Sequence, residues 1–369
     1  MTRKYLFKAD DLKAYVSRFL MNFDVQEKDA EVMADVLVTA DLRGVDSHGV
    51  IRLHTYYGTR LRKGLIDPLS PTTVIRETPV SLALDGGNGL GPVVAHRAME
   101  QCIGKAEHSG IAITTVCNSN HFGIAGYYAM MALRHNMIGI SLTNSRPLVA
   151  PTYGRTAMLG TNPIAVAVPT GTEHPYVLDM ATSIVPIGRV KVYSKSGKRI
   201  PAGWGMNNDG NVTEDPNAVI DGGVLFPLGG TDIMRGYKGY GLAVLVDILS
   251  GVLSGAAVST GVGDPTNPNR ANVGHFFMAI NPDLLRPLAD FTKGMDELLQ
   301  QLKMAPKIAG HERIYIHGEK EFEQAERCTA QGVPVLAPVV DFLKEIGAEI
   351  GVPFELIPLG TNTENREEH

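Results

Sequence analysis

Histidine and arginine at helical spacing are the residues of this chain best suited to chemistry. In the run Arg43-Gly44-Val45-Asp46-Ser47-His48-Gly49-Val50-Ile51-Arg52, a helix opening at Ser47 as its N-cap puts His48, Arg52 and Tyr56 on one face at i, i+4 and i+8. A guanidinium one turn from an imidazole can grip a carboxylate through two parallel hydrogen bonds beside a proton-transfer group. An ordinary solvated helix face stays open as the plainer alternative. A second run, Asn118-Ser119-Asn120-His121-Phe122-Gly123-Ile124-Ala125-Gly126, follows an expected strand and opens an expected helix. A histidine held by backbone at such a junction can take a proton from an alcohol at neutral pH; a helix-capping or structural histidine is the alternative. Three further clusters end apolar runs: Gly160-Thr161-Asn162-Pro163, Leu178-Asp179-Met180-Ala181-Thr182-Ser183 and Gly236-Tyr237-Lys238-Gly239-Tyr240-Gly241. Lys238, at a helix start, can meet phosphate or ribose alongside free backbone N–H groups, although each cluster alone also reads as a turn.

Other chemistries are excluded. Gly87-Asn88-Gly89-Leu90-Gly91-Pro92 comes nearest to the GxGxxG fingerprint of a dinucleotide site, but it fails at the sixth position and lacks a well-placed acidic residue beyond it, so a Rossmann fold is rejected. Val45-Asp46-Ser47-His48-Gly49 imitates a nucleophile elbow with valine where the first glycine belongs. No HExxH or paired His/Cys cluster points to a metal, despite eleven histidines. A net charge of −5 lacks the basic footprint of a nucleic-acid binder. The three cysteines, Cys102, Cys117 and Cys328, are odd in number and dispersed, which suits reduced thiols in a cytoplasmic protein. The N-terminus is charged again by Asp10 and has no signal-peptide core. Gly239 to Val258 is apolar but carries Asp247, and is read as a buried core helix, with no membrane span expected.

The elements that must position these residues are of mixed type. Asp10 or Asp11 can cap a helix running to about Phe23, and a second carries Met33, Val36, Leu37 and Ala40 as one buried stripe closed by Gly44. From about residue 74 short apolar runs take over, and Ile111–Cys117, Met137–Thr143, Ile164–Val168, Tyr176–Leu178 and Gly274–Ile280 read as strands. Helices are expected at about 93–108 and 123–135, near Lys238, and from Pro282 onward, before an acidic tail expected to be disordered. The layout is α/β of the α+β kind. It comprises a helical segment at 1–75 packed with helices from about 283–355, a sheet-containing region at 76–282, and a tail at 361–369.

Taken together, Asp41-Leu42-Arg43-Gly44 with Ser47-His48-Gly49 and Arg52, then Asn120-His121-Phe122-Gly123, Gly160-Thr161-Asn162-Pro163, Asp179-Met180-Ala181, Lys238-Gly239-Tyr240-Gly241 and Gly318-Glu319 closely resemble the malate/L-lactate dehydrogenase type 2 family. The resemblance runs in order from about residue 5 to 355. It implies an NAD(P)-dependent 2-hydroxyacid dehydrogenase whose cofactor, NAD or alternatively NADP, binds a mixed, largely antiparallel, non-Rossmann sheet. It further implies a homodimer with an active site at a cleft to which both subunits contribute. By position, His121 resembles the general base, with His48 its rival, and Arg52 the carboxylate clamp. Ser145, Asp179, Met180, Ala181, Lys238, Gly318 and Glu319 resemble cofactor contacts, Asp179 alternatively orienting the catalytic histidine, and Asn272 matches a loop near substrate or cofactor. Malate is the first substrate implied. Lactate, sulfolactate, ureidoglycolate and cyclic-imine carboxylates are alternatives on the same scaffold, and a non-catalytic ligand-binding protein is the rival from another class.

Overall fold

A computed structural model describes residues 3–263 and 269–362; most of the acidic tail lies outside them. The strands are β1 (Lys4–Phe7), β2 (Thr73–Thr78), β3 (Ser81–Asp85), β4 (Ile111–Ser119), β5 (Ile138–Thr143), β6 (Ile164–Val168), β7 (Tyr176–Met180), β8 (Gly205–Met206), β9 (Val224–Leu225), β10 (Val273–Ile280), β11 (Val333–Leu336) and β12 (Gly360–Asn362). The helices are α1 (Ala9–Met21), α2 (Glu27–Leu42), α3 (Thr59–Arg62), α4 (Gly91–Ser109), α5 (Ala125–Met131), α6 (Ile187–Lys195), α7 (Pro216–Ile220), α8 (Tyr237–Val246), α9 (Leu288–Met304), α10 (Glu319–Gln331) and α11 (Ala337–Glu349).

Seven strands form the main sheet in the order β2-β3-β4-β10-β5-β6-β7. Among the described residues of this sheet only β3 and β4 run parallel; every other pair is antiparallel. The expected mixed, mostly antiparallel, non-Rossmann sheet is therefore what the chain forms. Alternation along β10 sends Phe277 and Ala279 into the core under α4 and α5, and Phe276 to the opposite face with Leu142 and Val246 of α8. Each buried Phe, Leu or Val among these contributes about 1.5–3 kcal/mol. A separate core unites α1, α2 and α11, and includes Tyr15, Phe19, Leu37 and Leu343. It is stapled by β1, which pairs antiparallel with both β11 and β12, strands that periodicity did not reveal.

Three expectations need correction. Lys8 is the N-cap of α1 and makes no side-chain cap, while Asp10 and Asp11 sit in its first turn, where carboxylates favour the helix dipole. The stretch from Gly239 to Val258 is α8 followed by a π-helical segment, Asp247–Val252. Val246 packs on the sheet, but Leu245, Ile248, Val252 and Leu253 are exposed, so the stretch is amphipathic rather than buried. Among the described residues no helix is long and apolar enough to cross a membrane. The third correction concerns Ser47, which bonds to the neighbouring His48 Nδ1 at 2.8 Å instead of capping a helix. Asp46–His48 is a short 3-10 turn, and the helix that carries Arg52 begins after Gly49 and is π-wound over Leu53–Gly58. Its first N–H, that of Val50, is capped by the Asp41 carboxylate of α2 at 2.8 Å.

The near-fingerprint at 87–91 has a packing role. Gly91, first residue of α4, presses on the turn after β4: a Cβ there would lie 2.2 Å from the His121 carbonyl oxygen and 2.3 Å from that of Asn120. The Asn120 amide in turn donates to the carbonyls of Asn88 and Gly89 at 3.2 and 2.9 Å. Gly91→Ala should destabilise the fold by about 1–3 kcal/mol, read as a lower urea midpoint; an unchanged midpoint would mean that α4 is free to back away.

Candidate active site

The two histidine segments meet although 72 residues separate them. Asp41 and Gly49 set the first: a Cβ at Gly49 would fall 1.8 Å from Asp41 Oδ1, so glycine is what lets the buried carboxyl reach Val50. Burial raises the Asp41 pKa well above the usual carboxylate range, against the pull of the Val50 N–H. The second segment is the turn from β4 into α5, where the Gly123 φ is +84° and a Cβ would collide with Val36 of α2. The outcome is a face-to-face pair, His48 on His121, with ring centroids 5.4 Å apart and 20° between planes.

Both rings are half-buried. The His121 N–H donates to Tyr56 Oη at 3.3 Å. Tyr57 Oη lies 3.0 Å from His121 Nδ1 and 3.1 Å from the His121 carbonyl oxygen, and the Gly123 N–H reaches the same Nδ1 at 3.3 Å. Burial, then His48, Arg52 and His275, hold the His121 pKa well below its ordinary value. Burial, then the Arg52 charge, lowers that of His48 to about 4. Arg52 spends its Nε on the Ser47 carbonyl at 2.7 Å, which leaves the two terminal nitrogens for an end-on carboxylate. Burial lowers its pKa; Tyr57 and Tyr56 oppose the shift and Arg146 adds to it.

Sequence reasoning missed Tyr57, Arg146 and His275. His275 is fully buried in β10, bonded through Nδ1 to Thr143 Oγ1 at 2.8 Å and through Nε2 to Ser119 Oγ at 2.9 Å, and stacked on Phe122 at 4.7 Å. Burial lowers its pKa to about 3, so it is a neutral strut joining the roots of the β4 and β5 loops.

The other motif residues gather along the sheet beyond β5. Ser145 Oγ accepts the Thr161 N–H at 3.0 Å, and the Ser145 N–H bonds to Asn162 Oδ1 at 3.1 Å. Thr182 returns to Thr161 and Asn162, and Asn162 Nδ2 donates to Ala243 of α8 at 2.9 Å. Asp179, on edge strand β7, accepts the Gly126 N–H of α5 at 2.8 Å. The residue is open to solvent, and desolvation raises its carboxyl pKa to about 6, with the Gly126 N–H and Arg43 opposing. Met180 and Ala181 are half-buried beside it, and Lys238 is exposed in the first turn of α8. Gly318 packs on Val177 of β7. Glu319 is only 2% exposed, its carboxylate engaged by Lys303 at 2.5 Å, Arg313 at 3.2 Å and the Ile316 N–H at 2.9 Å. It therefore holds the 316–318 segment against β7. Asn272 Oδ1 accepts the Asn118 N–H at 3.0 Å, tethering its loop to the end of β4. Among the described residues no group of three or more His, Cys, Asp or Glu could hold a metal ion.

Residues 7–344 match the malate/L-lactate dehydrogenase family. The chain belongs to that family. It is 49% identical to a malate dehydrogenase of Pyrococcus abyssi, over 93% of this chain and 94% of that protein. It is 38% identical to an L-sulfolactate dehydrogenase of Methanocaldococcus jannaschii, over 95% and 98%. The crystal structure of malate dehydrogenase from Entamoeba histolytica superposes with a TM-score of 0.91 at 36% identity, covering 96% of this chain and 100% of that one. As a member of the malate/L-lactate dehydrogenase family, the chain is an oxidoreductase of hydroxy acids.

The depressed histidines make a solution prediction. A histidine with a lowered pKa stays neutral until the pH falls through that lower value, so both rings should remain uncharged from pH 8 to 6.5 and take protons only in more acid solution. NMR titration of the ring C–H signals checks this; a midpoint at 6.5 or above for both would contradict the crowding described.

Proposed function

We propose that this enzyme interconverts malate and oxaloacetate, with NAD as its coenzyme and NADP the alternative, as a cytoplasmic homodimer. The observation that carries this reading is the stacked His48–His121 pair beside an arginine whose terminal nitrogens remain available. The donor set suits a nicotinamide nucleotide: Lys238 is an exposed cation at a helix start, Ser145 offers a hydroxyl, and Met180 and Ala181 form an apolar bed beside the Asp179 carboxyl. These residues would hold the coenzyme. When bound, it supplies the carbon that accepts or returns hydride.

The chain's own part is to grip, orient and move a proton. Arg52 takes the carboxylate next to the reacting carbon end-on, which fixes the C–H bond in line and removes much of the entropic barrier. His121 is the proton-transfer residue. Tyr57 satisfies the working tautomer: its O–H donates to the His121 carbonyl and its oxygen accepts Nδ1–H, which leaves the Nε2 lone pair for the substrate hydroxyl. The 3.3 Å contact from Gly123 favours the opposite tautomer, and as the longest of the three it is the weakest. His48 donates to the developing carbonyl oxygen or shares the proton. Two stacked imidazoles repel as cations, so the pair takes up at most one added proton at a time. A substrate carboxylate partly neutralises Arg52 and so favours that proton during reduction.

Three free thiols, Cys102, Cys117 and Cys328, suit the reducing cytoplasm. The exposed stripe of Leu245, Ile248 and Val252, at i, i+3 and i+7 and 44–65% exposed, supports a second copy as partner.

Assays of 2-oxo acids with NADH and NADPH test the reading, and a sulfolactate or cyclic-imine preference would replace malate. Arg52→Ala should lower kcat/KM for oxaloacetate by about 2–4 kcal/mol; an effect below tenfold would remove Arg52 from the site. His121→Asn should depress kcat most and flatten its pH dependence, whereas His48→Asn should lower kcat less and leave the pH dependence in place; the reverse pattern exchanges their roles. Ile248→Glu should convert dimer to monomer in light scattering, whereas an unchanged mass would exclude this face.

A further inference from the structure

Strand β4 carries one residue more than its partner just before it ends. Val273 of β10 pairs with Ser119 and His275 with Val116, so two steps along β10 match three along β4. Asn118 takes up the extra residue at φ +51°, a left-handed conformation that asparagine tolerates, and its N–H is taken by Asn272 Oδ1. Without this bulge, alternation would send Ser119 to the face of Ile113, away from that of Val116. The bulge turns it to the other face, where Ser119 Oγ meets His275 Nε2 at 2.9 Å. His275 thereby grips the turn that carries His121 on both flanks. Ser119, two residues before, is bonded to its ring. Phe122, one residue after, is stacked on that ring at 4.7 Å and 8° and is held at its carbonyl by the Tyr128 O–H.

The other side of the imidazole is anchored in β5. Thr143 Oγ1 lies 3.0 Å from the Gly274 carbonyl oxygen and 2.8 Å from His275 Nδ1. A carbonyl can only accept. The arrangement that gives every contact a proton therefore has the Thr143 hydroxyl donating to Gly274, Nδ1–H donating to Thr143, and the Ser119 hydroxyl donating to Nε2. Burial keeps the ring neutral, the state in which Nε2 can accept. We propose that His275 is a positioning residue for proton transfer: by holding Ser119 and Phe122 it fixes where the His121 ring stands in the site. This rests on the hydroxyacid reading given above, with His121 moving the proton. The His121 ring is faced by His48, by Arg52, Tyr56 and Tyr57 from the helix after Gly49, and by His275 from the sheet. Displacing a reacting group by about 1 Å can cost about 10²-fold in rate, so a grip at both flanks of the turn bears directly on turnover.

The test compares wild type with His275→Asn, His275→Gln and Ser119→Ala on oxaloacetate, with NADH or NADPH as wild type prefers. The Asn amide reaches the Nδ1 position and keeps Thr143 alone, whereas the Gln amide reaches the Nε2 position and keeps Ser119. Ser119→Ala removes one flank and leaves the stack. The kcat should fall by about 10²-fold in His275→Asn and about tenfold in each of the others. KM for oxaloacetate should change by less than about threefold, because Arg52 grips it from another element. The His121 ring C–H titration, followed by NMR without substrate, should move up toward the ordinary histidine value in His275→Asn, as a loosened ring meets water, and less in the other two. A lower activity with the His121 midpoint unmoved would mean loss of folded protein alone and would overturn the proposal. So would wild-type kcat in all three variants, a His275→Asn no slower than His275→Gln, or a loss carried by KM. Ser119→Ala carries the test should a His275 variant fail to fold. If no acid is turned over yet the His121 midpoint moves in this order, the hydroxyacid reading falls while the positioning role stands.

Discussion

The geometry of the candidate active site depends on one buried carboxyl reaching across a missing side chain. Asp41, on the last turn of α2, accepts the Val50 N–H, and only glycine at 49 lets it approach. That single contact joins the end of α2 to the start of the next helix, which it caps, and confines the short loop carrying Ser47 and His48 between them. Arg52 is placed by the same loop, through its bond to the Ser47 carbonyl. A buried hydrogen bond of this kind is hard to exchange for water, so the position of Arg52 relative to the imidazole follows from helix packing rather than from these two residues themselves.

The opposite wall is set by the sheet. His121 sits just past the end of β4 and is held at its amide by Tyr56 and at its ring by Tyr57, both from the helix Asp41 caps. The site is thus a seam between the helical core and the sheet. Spacing within the sheet is kept by the His275 strut, whose low pKa keeps it neutral and able to bond hydroxyls on both sides.

Much of this was legible from residue patterns. Alternation and short apolar runs revealed β4, β5, β6, β7 and β10, and the stripe at Met33, Val36, Leu37 and Ala40 revealed α2, because those signals are local and arise from burial on one face. The lack of a GxGxxG correctly excluded a Rossmann sheet. What was hidden is non-local. Ser47 looked like a cap because capping residues normally precede their helix directly, whereas the true cap, Asp41, lies nine residues upstream on another element. Tyr57 carried no signal, because the π-wound turn that presents it beside Tyr56 has no periodic signature. Glu319 sat in a motif, but its Lys303 and Arg313 partners come from separate segments. His275 occupied a strand position where an apolar residue is the norm, and only the facing hydroxyls of Ser119 and Thr143 explain it.

The pairing of β1 between β11 and β12 bears on how the molecule is made. At roughly 5–20 residues per second of synthesis, the first strand waits tens of seconds for partners more than 300 residues downstream. Until they emerge, α1 and α2 have no α11 to cover them, and their apolar stripes stay open to water or to chaperones. The sheet, whose strands all lie between residues 73 and 280, can close earlier. One wall of the candidate site can thus form long before the other, which waits for the segments carrying α11 and β11 to reach α1 and β1.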